Sequence, residues 1–489
     1  MSTEKFPAQN YKDNVLHDCF EDAKKYFLKA YQDVDYAHGV MLGEQGILTE
    51  DELKTLMRAV RDIDLGSFEG RTYDGTFEDV FFLFQQEITK RCDPDVAGKL
   101  HTARSRNDID VTIYRLVLRL DALRLIASAN ELRKVFLDLA AVHHETLIPA
   151  YTHTQPAQPS TLAHFLLSMA ENLGRDVRRL QSAYDNMNYC PLGAGAITTT
   201  GFPIDRHRVA ELLGFTAPTV NSYGSIASID YFTELLGATA ALLVNIGKFA
   251  QEFLLMAMQE FDVIRLPDGY VQGSSIMPQK RNPVALEHIR AIGSKALGQT
   301  LGVFTSVHNT PFGDINDVED DLQPLIYSAV RDANRAVSLF AGTLKSATFK
   351  LETLERRAEE NFITVTELAD TIVRTEKVSF RVAHKIVGTA VKQSLESKEI
   401  SYEVLQSAAE EVLGRRLSMS ESDVAKALSA ENFVAVRTIY GGPAPSETRR
   451  AHAVEAEMAS REREWLNEKI SALAKAEKNL YATVDRLVA

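Results

Sequence analysis

The stretch YFTELLGATAALLVNIGKFAQEFLLMAM, Tyr231 to Met258, is apolar on nearly every side. It lies inside a proline-free run from Pro218 to Pro267 and is rich in Leu, Ala, Phe and Met, so it reads as a helix. A helix without a wide polar face is buried all round. One chain seldom covers 28 such residues, and a helical bundle shared between chains is expected. The most apolar part, Leu235 to Gly247, reaches Lys248 after 13 residues, too short for a bilayer span and long enough for a core helix.

The same punctuation runs outward from this helix. No proline falls between Pro94 and Pro149, Pro159 and Pro191, or Pro324 and Pro443. These stretches are rich in Ala, Leu, Glu, Lys and Arg, and alternating β-branched strand patterns are nearly absent, so the fold class is all-α. From Ser446 onward, Leu466, Ile470, Leu473, Leu480, Val484 and Leu487 share one helical stripe among many charges, and core packing is the expected use.

At about 150 residues per domain, 489 residues predict about three domains. Lys and Arg total 54 against 67 Asp and Glu, a net charge of −13 that argues against generic nucleic-acid binding. Hydrophobic residues at 45% and charged ones at 25% match an ordinary globule. Cys19, Cys92 and Cys190 are too scattered for a disulfide framework or a zinc module. The start, MSTEKFPAQNYKDN, carries no apolar leader segment, so a cytoplasmic location and no membrane partner are expected.

Three polar islands interrupt the helices. GKLHTARSRND (98–108) places Ser105, Arg106 and Asn107 before a long apolar helix, which suits either an anion site at a helix start or a charged solvent-facing cap. PAYTHTQPAQP (149–159) holds Thr152 and His153, a side chain able to exchange a proton near neutral pH or simply to serve the structure. GSSIMPQKRNP (273–283) collects Ser274, Ser275, Lys280 and Asn282 in a donor-rich loop, and the helix after it carries Glu287. No GxSxG motif points to a hydrolase.

Together the islands resemble the fumarase/aspartase superfamily, whose signature GSSxMPxKxNP is matched at every specified position by residues 273–283. The branch most similar is argininosuccinate lyase. Its HTGRSRND is similar to HTARSRND (101–108), its GYTHLQxAQP to AYTHTQPAQP (150–159), and its PLGSGALAGTTFPIDR to PLGAGAITTTGFPIDR (191–206). The resemblance runs from about Asp33 to about Pro445.

It implies three mostly helical domains, expected at 1–108, 109–362 and 363–489, with polar boundaries near 103–110 and 355–365. It implies a homotetramer with a twenty-helix core and active sites shared by three subunits. It implies β-elimination of fumarate from a small succinyl-bearing substrate, with no metal and no organic cofactor. Ser274 aligns with the base, Lys280 and Asn282 with donors to the dianionic intermediate, and His153 with Glu287 as the pair serving the leaving group. Ser105, Arg106, Asn107, Thr152 and Ser275 align with carboxylate-binding groups.

The amine end departs from the family. Where the family reads LPxxYNRDLQEDKEP, Pro311 to Pro324 reads PFGDINDVEDDLQP, placing Asp314 at the Tyr, Asn316 at the Arg, Glu319 at the Gln and Leu322 at the Lys. Asp35 replaces a Ser near the N-terminus, Phe81 a His and Ile109 a Gln. Acids in place of cations suit an amine better than an amino-acid carboxylate, so the expected leaving group is not arginine, and Asp35, Asp314 and Glu319 are expected to contact it. A C–S lyase acting on S-(2-succino)cysteine, an authentic argininosuccinate lyase and a non-enzymatic structural homologue are the alternatives. A solvated acidic loop is the simplest competing reading of 314–321.

Overall fold

The computed structural model describes residues 6–489; Met1–Lys5, part of the expected first domain and of the N-terminal stretch read above, lie outside them. Five long helices form the body: α1 (Arg106–Val142), α2 (Leu162–Met187), α3 (Asp230–Ala257), α4 (Val284–Val307) and α5 (Gln323–Lys345). They pack in a closed ring, each against the next and α5 back against α1. Leu118, Leu125 and Leu132 recur every two turns of α1 and are fully buried, each worth about 1.5–3 kcal/mol. Phe136 of α1 meets Phe249 and Phe253 of α3 and Phe340 of α5 in stacked and edge-on contacts 6.0–6.2 Å between centroids. Pro324 enters α5 in its first turn, where its missing N–H costs nothing.

A sixth helix, α6 (Pro445–Val488), is the tail expected from its stripe. Leu466, Leu480 and Val484 are buried, and α6 lies along α1, α2 and the helices Leu28–Glu44 and Glu50–Arg61. Arg133 of α1, fully buried, pairs with Glu455 at 2.7 Å and with Glu462, both on α6. The guanidinium crosses α2 at Gly174, where a Cβ would fall 2.7 Å from Arg133 Nη2.

Two cores result. One runs through the N-terminal helices, the ring and α6; the other, between Leu368 and Ala427, belongs to short helices, three of them capped by Ser379, Ser401 and Ser420. Within 363–489, residues between Leu368 and Ala427 build the small core, while α6 packs on the body.

The helix α3 is less enclosed than its composition suggests. Twelve of its residues are buried, but Gly237 and Val244 face outward, Val244 at 51% exposure. α3 is long and apolar enough to cross a bilayer, yet its packing inside the ring is that of a core helix.

The proline-rich island forms strands rather than irregular chain. Leu147–Thr152 (β1) and Gln155–Thr161 (β2) pair antiparallel, with Pro149 opposite Pro159. In a two-stranded ribbon both strands are edges, so prolines are tolerated. His153 and Thr154 turn the hairpin at φ 51° and 61°, the left-handed pair that a type I′ turn requires.

Candidate active site

The start of α1 is held from behind. Ser105 caps the helix, and its N–H donates to Asp108 Oδ1 at 2.8 Å. Asp108 Oδ2 accepts from the N–H groups of Gly193 and Gly195 at 2.8 and 2.9 Å, tying HTARSRND to PLGAGAITTTGFPIDR. Burial pushes the Asp108 carboxyl up to about 6, against those three amides. Gly193 stands at φ 88°, and a Cβ there would come within 2.7 Å of Arg206 Cγ.

The helix Leu28–Glu44 grips the turn before α1. His38 Nε2 donates to the Thr102 carbonyl at 2.9 Å, and Asp35 pairs with the buried Arg104 at 2.7 Å. Burial raises the Asp35 carboxyl, with Arg104 opposing; burial and the Arg104 charge push His38 down to about 3. Asp35 does not line the cavity described next. Expected at the amine end, it pairs in this chain with Arg104.

Beyond the turn lies a cavity of 260 Å³. Arg106, Asn107, Asp314 and Glu319, far apart in sequence, line it together. Asp79, Asp110, Asp320, Asp321 and Glu78 join them, with Cys19 and Tyr11 from the N-terminal helices. Arg106 is the one guanidinium among these lining residues. It pairs with Asp79 and Asp110, the latter at 3.2 Å. Burial foremost, then the hydrogen bond and charge of Asp314, raise the Glu319 carboxyl. Burial also raises Asp79 and Asp110 against the Arg106 charge, and lifts the Cys19 thiol to about 12 with help from Asp320 and Asp321. Burial first and then the crowding of carboxyls disfavour the charged forms here, and a cation entering the cavity would offset that cost. Asp79, Asp110 and Asp320 escaped the sequence reading. The spacing of Asp110 four residues after Arg106 was the available signal.

The remaining expected residues lie elsewhere on the chain's surface. The loop 273–281 is closed at its base by paired backbone hydrogen bonds between Gln272 and Asn282, at 3.0 and 2.9 Å. Arg281 anchors it to Asp268 at 2.5 Å and to the Leu266 carbonyl at 3.0 Å. Within the loop, Ser274 Oγ accepts from the N–H groups of Ile276 and Met277 at 3.3 and 3.1 Å. Two amides aimed at one hydroxyl oxygen stabilise its anion. Ser275 and Lys280 are exposed, Asn282 is half-buried, and Glu287 is exposed in the first turn of α4. Thr152 and His153 are exposed at the β1–β2 tip. None of Thr152, His153, Ser274, Lys280 and Glu287 lines the Arg106 cavity. Among the described residues, no three His, Cys, Asp or Glu side chains converge to hold a metal ion.

Comparison with known proteins places this arrangement. A family model described as lyase matches residues 80–298, and one described as argininosuccinate lyase C-terminal matches residues 362–435. The protein named argininosuccinate lyase 2 of Agrobacterium fabrum (strain C58) is 42% identical over 456 residues, covering 92% of this chain and 90% of that one. The solved structure of an EDDS lyase variant with bound fumarate superposes with a TM-score of 0.87 at 31% identity, covering 97% of this chain and 95% of that chain. The class II fumarase of Schistosoma mansoni, at 16% identity and a TM-score of 0.68 over 84% of this chain and 90% of that chain, shares the fold. A ring of long helices, a GSSIMPQKRNP loop and a relative this similar along nine-tenths of both chains make the conclusion direct: the chain belongs to the argininosuccinate lyase family of the fumarase/aspartase superfamily, and it is a lyase.

Proposed function

We propose that the protein eliminates fumarate from an N-substituted aspartate whose leaving amine is a cation without a carboxylate, rather than arginine. The acidic cavity at the start of α1 is the observation that carries this reading. A leaving group bearing a carboxylate would enter a field already set by Asp79, Asp110, Asp314, Glu319 and Asp320; an ammonium would relieve it.

The reaction removes a proton from Cβ and expels nitrogen from Cα with the electron pair of the C–N bond. The Cβ proton is weakly acidic, because its loss adds charge to an existing carboxylate, and catalysis consists in stabilising that dianion. Ser274 takes the proton. Its hydroxyl is an unpromising base in water, but the Ile276 and Met277 amides favour the alkoxide. Lys280 and Asn282, with Ser275 and Thr152, serve the developing aci-carboxylate. Each such donor is worth about 2.7–4 kcal/mol. Ser105 and Asn107 hold the other carboxylate, and His153 with Glu287 positions or protonates the departing nitrogen.

These groups stand on separate elements of one chain, so the proposal includes assembly. The five-membered ring supplies one quarter of a twenty-helix core, and the hairpin tip, the loop and the α1 turn of different subunits meet at each site of a homotetramer. The test is fumarate formation by wild type and Ser274→Ala, presented with succinylated amines, argininosuccinate and S-succinylcysteine. The proposal predicts release from a succinylated cationic amine and a loss of about 10²-fold or more in Ser274→Ala with its helical content intact. Equal rates in the two proteins overturn the base assignment; fumarate from S-succinylcysteine alone overturns the C–N reading.

A further inference from the structure

Arg106 reaches the cavity already paired. Its guanidinium contacts Asp79 and donates from Nη2 to Asp110 Oδ2 at 3.2 Å. Burial opposes its charge, yet Asp110 and Asp79 outweigh that effect and raise its pKa. Asp110 sits one helical turn inside α1, so the α1 backbone fixes the pair. Its other oxygen lies 3.5 Å from the Tyr31 hydroxyl of the helix Leu28–Glu44. Tyr114 of α1, which donates to Asp320 at 2.8 Å, closes the far side. Glu78 stands 3.9 Å from the same guanidinium, so acidic side chains already surround it. A carboxylate from a ligand would have to displace one of them. Asn107 differs: its Oδ1 accepts from Ser105 Oγ at 2.6 Å, so its amide NH₂ is the donor it has left to offer an anion.

We propose that Asp110 is a specificity-determining residue that holds Arg106 against Asp79 and thereby turns the amine end of the site from carboxylate-accepting to cation-accepting. This rests on the fumarate-releasing reading above, since only that reading gives the cavity an amine end. Asp110 acts here through Arg106, as a positioning residue for the charge of the pocket. Freed of Asp110, Arg106 becomes a ligand for carboxylate.

The test measures binding, not turnover. Wild type, Asp110→Asn and Asp110→Val are titrated with putrescine and with arginine, each with fumarate present. The proposal expects Asp110→Asn to weaken putrescine and tighten arginine, each by about tenfold. Asp79→Asn, which removes the other partner of Arg106, is expected to move both affinities in the same directions. A substitution that merely loosened the fold would weaken both ligands together, and that result, or no change in either, overturns the proposal. Opposite shifts in a protein that releases fumarate from no succinylated amine leave Asp110's role standing and overturn the function. Fumarate release with parallel losses of affinity does the reverse.

Discussion

Asp35 and His38 show what a single residue contributes behind the site. Both lie on the helix Leu28–Glu44, and both grip the turn that aims Ser105, Arg106 and Asn107. Arg104 is fully buried, and its Nε and Nη2 have no hydrogen-bond partner among the described residues, so the Asp35 charge is what compensates it. Asp35→Ala should cost about 3–5 kcal/mol in chemical denaturation, while the double change Asp35→Leu with Arg104→Met recovers most of that loss. His38 supplies a pH signature. Its folded pKa, near 3, lies below the ordinary 6.5, so the unfolded chain binds more protons between those values. Stability from this group is complete above pH 6.5 and is lost as pH falls toward 3, by at most about 5 kcal/mol. Stability profiles of wild type and His38→Gln should therefore converge on acidification; parallel profiles would refute the assignment. Ser274, Lys280 and Arg106 stand out as candidates in the sequence because spaced motifs carry them. The use of Asp35 was not, since a substitution seen in sequence does not tell which way the side chain turns.

At the scale of elements, the long helices were readable because proline leaves their interiors alone and apolar residues recur at helical spacing. The β1–β2 hairpin was not. Three prolines in eleven residues argue against strand except in a ribbon that is all edge. The division of the C-terminal segment was also hidden, because both parts are amphipathic helices and only packing shows which core each serves. The small core is a separate unit in that it shares few neighbours with the ring. Ile386 is fully buried there, and Ile386→Ala should cost about 2–5 kcal/mol. Hydrogen exchange should rise across 365–428 and remain unchanged in α1 and α3. A rise spread evenly over the chain would mean that the two cores unfold as one.

The whole molecule returns to the helix that set the fold class. In one chain α3 leaves Gly237 and Val244 uncovered, and Leu301 of α4 is 56% exposed. In the proposed assembly these apolar positions on two adjacent ring helices would carry the bundle into other chains. Val244→Asp should shift the sedimentation of the assembled protein toward the single chain, whereas an unchanged profile would place the interface elsewhere. The acidity of the chain also acquires a location. Part of the −13 lies in 314–321, lining the same 260 Å³ cavity as Asp110, and under the proposed function it selects the leaving group there. That selection is the central claim. The direct measurement is kcat/KM for fumarate release from an N-succinyl diamine relative to argininosuccinate under the same conditions. The account predicts a ratio of at least about tenfold in favour of the diamine. A ratio of the same size in favour of argininosuccinate would contradict it.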